Sequence, residues 1–310
     1  MNEWIKNLKK SKRVFVPLFF VLFIILIILT IRIYRSVVER PSDQPVKETH
    51  DYSPELVDIQ AKSFYVYDID QKKVLFTKNE HEQLALASIT KLMSGLIIAT
   101  NLPSTSTVII SKADIDNGEG SNGLFVGEKW DVKDLLNFSL IMSSNSGIYA
   151  LSRSLNTYEG VYGSTTIDLM NAKAKVLGLS NTLFFNETGL DINTGMSGAY
   201  SSAYDVTVLL NKILASYPIL ISKTTEDAAA FISESNMRHI AINTNTLVNK
   251  IPGLIASKTG YTDLAGGNLV IAFDAGFMHP IIITVLGSTQ DGRFTDMERL
   301  VHVTLERLSE

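Results

Sequence analysis

Ser88 and Lys91 stand three residues apart in Ala87-Ser88-Ile89-Thr90-Lys91, at the start of a segment that reads helical from Leu86 to Thr100. That spacing puts both side chains on one helix face. A serine hydroxyl is a poor nucleophile until a base takes its proton, and a lysine one turn along can take it once its ammonium is destabilised. Burial and a second cation both lower a lysine pKa, and Lys258 is available as the second cation. Two further motifs follow in order, Ser143-Ser144-Asn145 and Lys258-Thr259-Gly260. The first falls between the apolar helical runs 135–142 and 147–151, offering a hydroxyl near a leaving group and an amide to orient substrate. The second sits in a strand pattern. There a lysine and a hydroxyl on an exposed edge can bind a carboxylate, and the glycine permits close backbone approach. Each motif alone has an ordinary reading as a helix cap, a helix–helix turn or a polar edge strand. Their order, separations and local structures make the set specific.

The elements that must position these groups follow from the surrounding pattern. Ser63–Tyr67 and Val74–Thr77 flank Asp68-Ile69-Asp70-Gln71 and predict a hairpin. Asp131 is placed to cap a helix through Met142, and further helices are expected over Ser146–Leu155, Thr166–Leu177 (stopped by Gly178) and Ser202–Ala215. Strand character returns at Met237–Val248, Ile255–Thr262, Leu269–Phe273 and Ile281–Leu286. Met297, Leu300, Val301, Thr304, Leu305 and Leu308 recur at helical spacing and predict a closing helix packed on a sheet. The order predicts an α+β fold, with an antiparallel sheet built from both ends of the body and a helical subdomain inserted.

Together the three motifs resemble those of the serine-reactive penicillin-recognising enzymes, with Ser-x-x-Lys, Ser-x-Asn and Lys-Thr-Gly in that order. The nearer resemblance is to the D-alanyl-D-alanine carboxypeptidase family of low-molecular-mass penicillin-binding proteins. It is carried also by Gly189-Leu190-Asp191, Tyr200-Ser201-Ser202-Ala203-Tyr204-Asp205, Lys258-Thr259-Gly260-Tyr261-Thr262, and Gly287-Ser288-Thr289 with Arg293-Phe294. The resemblance implies a β-lactamase/transpeptidase-like fold over residues 61–310. It implies that Ser88 attacks the carbonyl between two D-alanines of a peptidoglycan stem peptide, with Lys91 as base and Ser143 relaying a proton to the departing D-alanine. Asn145 would hold the peptide amide, Lys258 and Thr259 the terminal carboxylate, and Gly260 would admit the substrate. The backbone N–H groups of Ser88 and Tyr261 would form the oxyanion hole. β-Lactams would acylate Ser88, and no metal or organic cofactor is implied. The expectation is also a body without the small β-rich domain that many relatives append. Ser146 stands where relatives often carry an aspartate, which bears on local helix capping.

Three other readings use the same residues. A DD-endopeptidase shares every motif. A class A-like β-lactamase would need a deacylating glutamate, and Glu187 lies at a tempting separation, although its surroundings read as an exposed loop acid. A non-catalytic wall-binding domain would keep the polar set unused. A histidine-dependent serine hydrolase finds no support, because Gly-x-Ser-x-Gly is missing and the five histidines are scattered.

Composition bounds the setting. The 310 residues carry 28 Lys+Arg against 32 Asp+Glu and no cysteine, which excludes thiol nucleophiles, disulfides, cysteine-bound zinc and iron–sulfur clusters. Residues 1–40 hold eight basic side chains against Glu3 and Glu39, so the remainder carries −4 − 6 = −10 and nucleic acid is not an expected partner. Val14–Ile31 is apolar but for Pro17 and Thr30, roughly 18 residues or about 27 Å of helix, a bilayer's hydrocarbon thickness. Residues 1–13 are then a cytoplasmic basic segment, 14–34 an uncleaved transmembrane signal-anchor in the cytoplasmic membrane and 35–60 an extracytoplasmic spacer. Five basic residues precede the span, which keeps the amino terminus inside and the catalytic body outside.

Overall fold

A computed structural model describes residues 58–161 and 163–310. In chain order, β1 (Ser63–Asp68) and β2 (Lys73–Lys78) form the expected hairpin, and β3 (Leu84–Ala85) leads through a 3₁₀ turn into α1 (Lys91–Asn101). The middle of the chain is β4 (Thr107–Ile109), α2 (Lys112–Asn117), β5 (Lys129–Asp131), α3 (Val132–Met142), α4 (Asn145–Asn156), α5 (Thr166–Val176), β6 (Leu183–Phe184), β7 (Ala199–Ser201) and α6 (Ala203–Ser216). A second hairpin, β8 (Ala228–Ile232) and β9 (Arg238–Ile242), precedes three long strands. These are β10 (Leu254–Thr262), β11 (Gly266–Asp274) and β12 (Pro280–Ser288), followed by α7 (Gly292–Ser309).

The main sheet has the order β10-β11-β12-β1-β2, so strands from both ends of the body meet where β1 pairs antiparallel with β12. Successive side chains on a strand point to opposite faces. Leu269, Ile271, Phe273, Ile281, Ile283 and Val285 therefore meet Met297, Leu300 and Val301 of α7. Val270, Ala272, Ile282 and Leu286 face the helical core, where Leu92, Leu96, Phe138 and Leu210 lie. Both faces are covered, which is why β11 and β12 read as continuous apolar runs rather than alternating ones.

Several predicted caps are present. The Asp131 side chain accepts the Asp134 backbone N–H at 2.8 Å, and Gly178, just past α5, has φ 73. Two expectations need correction, and one strand had no counterpart among them. The helix expected from Leu86 starts at Lys91; Ala87 has φ 49, and Ala87–Thr90 is a 3₁₀ turn in which the Thr90 hydroxyl bonds the Ala87 carbonyl at 2.7 Å. The strand expected over Met237–Val248 ends at Ile242. Asn243 Oδ1 accepts the Asn245 N–H at 2.9 Å and Asn245 Oδ1 accepts the Leu247 N–H at 3.0 Å, two successive side-chain turns that compete with ladder pairing. Its partner β8 escaped the sequence reading because three of its five residues are alanine, a weak strand former.

Ile59 is buried in the α7-side core, so the folded body begins before Ala61. The basic segment 1–13, the span 14–34 and nearly all of the spacer 35–60 lie outside the described residues. Among the described residues no helix is long and apolar enough to cross a membrane.

One carboxylate ties the entering chain to the closing helix. Asp296, buried on α7, accepts the Gln60 and Ala61 backbone N–H groups at 2.9 Å each and the Ser288 hydroxyl at 2.6 Å. Removing an acceptor from buried donors costs about 1–3 kcal/mol for a neutral group and more for a charged one. Asp296→Ala should therefore lose about 3 kcal/mol in urea unfolding, with Asp296→Asn intermediate.

Candidate active site

The 3₁₀ turn at Ala87–Thr90 carries Ser88 and hands the chain to α1, whose first residue is Lys91. Lys91 is fully buried. Its Nζ lies 2.7 Å from Ser88 Oγ, 2.6 Å from Asn145 Oδ1 and 2.9 Å from the Thr188 carbonyl. Two of these partners can only accept. A neutral amine that donates to both keeps its lone pair for the Ser88 hydroxyl proton. Burial first, and then the charge of Lys258, hold the Lys91 pKa well below the ordinary lysine value. The geometry required of a serine and its base is thus present, and the electrostatics favour the basic form.

Asn145 opens α4, and Ser143 closes α3 in a left-handed conformation at φ 61. Such a backbone is uncommon for a non-glycine residue and costs roughly 1–2 kcal/mol. The Lys258 ammonium donates to Ser143 Oγ at 2.8 Å and to the Thr259 carbonyl at 2.9 Å. The two lysines accordingly divide the work: Lys91 reaches Ser88 and Lys258 reaches Ser143. Lys258 acts on Lys91 through its field.

Lys258 and Thr259 lie on β10, the edge strand of the main sheet, yet both are buried. The exposed edge expected from the sequence is corrected here, because the 3₁₀ turn Ser222–Thr225 and the chain after β9 cover that edge. Thr224 Oγ1 accepts the Ser257 backbone N–H at 3.0 Å, and Thr244 Oγ1 lies 2.5 Å from Thr259 Oγ1. Burial first, and then the Arg293 charge, bring the Lys258 pKa down to about 7. Arg293 itself donates to the Gly260 carbonyl at 2.7 Å. Tyr261, next along β10, is exposed.

Close backbone packing explains two glycines. A Cβ on Gly260 would stand 2.8 Å from the Leu86 carbonyl oxygen and 3.1 Å from the Ser88 nitrogen. One on Gly189, which has φ +81, would stand 1.9 Å from the Ala87 carbonyl oxygen. The β10 motif and the Gly189-Leu190 loop therefore both press on the turn that carries Ser88. Asn268 on β11 completes the support. Its amide donates to the Ala85 and Leu86 carbonyls at 2.9 and 3.0 Å and accepts the Gly287 N–H at 2.7 Å.

All eight residues singled out from the sequence belong to this region, and four others were missed as contributors. Thr188 acts through a backbone carbonyl, which no side-chain pattern announces. Thr244 and Asn268 are polar residues in or beside strands, a signal too common to single out. Arg293 lay in a stretch that carried the resemblance but had no role attached. The Ser146 substitution does not disturb the cap of α4. Ser144 Oγ accepts the Gly147 N–H at 3.1 Å, while the Ser146 hydroxyl bonds the Gly120 carbonyl and tethers the preceding loop. Glu187 is half-buried rather than exposed, and burial raises its carboxyl pKa. Among the described residues no cluster of His, Cys, Asp or Glu could hold a metal ion.

The family described as D-alanyl-D-alanine carboxypeptidase matches residues 47–290. The chain belongs to this family. D-alanyl-D-alanine carboxypeptidase DacF of Bacillus subtilis is 32% identical over 248 residues, covering 78% of this chain and 61% of that protein. The chain thus spans less than two thirds of that relative's length. A D-alanyl-D-alanine endopeptidase of Escherichia coli is 32% identical over 224 residues, covering 69% of this chain and 67% of that protein. Among solved structures, penicillin-binding protein D2 from Listeria monocytogenes in its ampicillin-bound form superposes with a TM-score of 0.66 at 25% identity, over 80% of this chain and 98% of that one. The penicillin-binding α+β architecture expected from the sequence is the one observed.

A depressed lysine pKa has a stability consequence. Below about 7 the folded protein bears the full cost of a buried Lys258 ammonium, and that cost is relieved as pH rises toward the ordinary value of 10.5. Wild-type stability should therefore gain more between neutral pH and about 10 than that of Lys258→Met. Urea midpoints measured across that range on both proteins check the sign.

Proposed function

We propose that this chain is a serine DD-carboxypeptidase that removes the terminal D-alanine from peptidoglycan stem pentapeptides through a Ser88 acyl-enzyme, and that β-lactams acylate the same hydroxyl. The observation that carries the reading is the buried Lys91 amine 2.7 Å from Ser88 Oγ, its other two partners being fixed carbonyl oxygens. Lys91 takes the hydroxyl proton as Ser88 Oγ bonds to the scissile carbonyl carbon. The oxyanion that forms is received by the backbone N–H groups of Ser88 and Tyr261, each such donor contributing about 3 kcal/mol to lowering the barrier. The proton taken up by Lys91 returns through Ser143, which Lys258 polarises, to the leaving D-alanine nitrogen as the C–N bond breaks, so that Lys91 and Ser143 regain their starting states. Asn145 orients the peptide amide, and Lys258 with Thr259 receives the terminal carboxylate beside Gly260. Water then gives a proton to Lys91 as its oxygen bonds to the ester carbonyl carbon, and that proton returns to Ser88 Oγ as the ester C–O bond breaks.

The comparisons support hydrolysis of D-alanyl bonds, since relatives named carboxypeptidase and endopeptidase match at equal identity. The carboxypeptidase reading rests on the buried carboxylate site at Lys258 and Thr259, which suits a chain-terminal D-alanine. Residues 14–34 would anchor the protein in the cytoplasmic membrane, amino terminus inside, leaving the catalytic body on the side where peptidoglycan lies. The apolar run and the five preceding basic residues support that placement.

Incubating the detergent-solubilised full chain with pentapeptide should release one alanine, read by mass spectrometry, and Ser88→Ala should abolish both this and penicillin labelling. Cleavage of cross-linked dimers alone would assign an endopeptidase. In Glu187→Gln the penicilloyl adduct should keep its wild-type lifetime; a short-lived wild-type adduct that accumulates in this variant would assign a β-lactamase.

A further inference from the structure

Thr244 follows β9 in the tight turn Asn243-Thr244-Asn245, and that turn is held from several sides. Asn243 Nδ2 donates to the Thr224 and Glu226 carbonyls at 2.9 Å each, while the Thr244 backbone N–H reaches the Ile141 carbonyl near the end of α3 at 3.4 Å. The turn thereby bridges the segment before Ser143 and the strand bearing Lys258 and Thr259. From this fixed position the Thr244 hydroxyl lies 2.5 Å from that of Thr259, and among the described residues neither hydroxyl has a further side-chain hydrogen bond.

Each hydroxyl has one proton and can accept as well as donate. Only one of the two can donate across this contact. If Thr259 donates to Thr244, its proton is spent and its oxygen presents lone pairs to the groove, which repel an anion. If Thr244 donates to Thr259, the Thr259 proton is free to point at a carboxylate. An anion in the groove selects the second arrangement, and the chain Thr244 O–H to Thr259 O–H to carboxylate then polarises in one direction. We propose that Thr244 is a positioning residue that fixes the Thr259 hydroxyl as a donor, so that the groove selects ligands ending in a carboxylate beside the scissile bond. This inference rests on the reading that Lys258 and Thr259 receive that carboxylate.

The test compares Thr244→Val, which keeps shape but loses the donor, with Thr244→Ser, which keeps it, in the full chain. Thr244→Val should raise KM for pentapeptide about tenfold while kcat stays within about twofold, and should slow benzylpenicillin acylation about tenfold at limiting drug. Thr244→Ser should restore both to within about threefold. In a Thr259→Val background, Thr244→Val should cost nothing further, since the two act as one unit. Wild-type values in Thr244→Val, losses that add with Thr259→Val, or failure of serine to rescue would each overturn the assignment. Thermal unfolding identifies a misfolded valine variant, and Thr244→Ala then takes its place against the same serine rescue. If the wild type is acylated by penicillin yet releases no alanine from pentapeptide, the carboxypeptidase reading fails, and Thr244 is judged on the acylation rates alone.

Discussion

The structure is organised around a fully buried amine. Lys91 is buried with its nitrogen among a hydroxyl, a side-chain amide oxygen and a backbone carbonyl, and these come from three separate segments of the chain. A buried ammonium is costly unless paired with an anion, and none of these three partners is a carboxylate. Burial and the nearby positive charge push in the same direction, toward the neutral form that can accept a proton. The price is stability near neutral pH, and the rest of the fold must supply it.

Much of the scaffold does so by fixing the turn that carries Ser88. The main sheet supplies β10, whose Gly260 lets the strand approach the turn, and β11, whose Asn268 satisfies the Ala85 and Leu86 carbonyls just before it. The loop through Gly189 closes on it from another side and offers the Thr188 carbonyl to Lys91. The helix junction at Ser143–Asn145 brings a hydroxyl and an amide in from α3 and α4. Such preorganisation matters because dipoles already aimed at developing charge need no rearrangement during reaction.

The second lysine shows how one residue can act at two distances. Lys258 touches Ser143 and lies close enough to Lys91 to lower its proton affinity, while Arg293 does to Lys258 what Lys258 does to Lys91. This graded row of positive charge, buried behind an edge strand, suits a pocket meant to hold an anion beside a basic amine.

Local chemistry was readable from residue order alone wherever it depends on neighbours along the chain. The Ser88–Lys91 spacing, the Asp131 cap, the Gly178 stop and the apolar runs of β11 and β12 all rest on the identities of residues near one another in the chain. Burial of Lys258 and Thr259 did not follow, because the cover over their edge comes from Thr224 and Thr244, positioned by turns at Asn243 and Asn245 that interrupt an otherwise strand-like stretch. Nor did the division of labour between the two lysines, since Ser143 and Lys258 are 115 residues apart and meet only once α3 packs on the β8–β9 hairpin and on the Ser222–Thr225 turn that covers β10. Sequence order specifies which groups are present and their periodicity; which amine faces which hydroxyl, and how dry each one is, are decided by distances that exist only once the layers close.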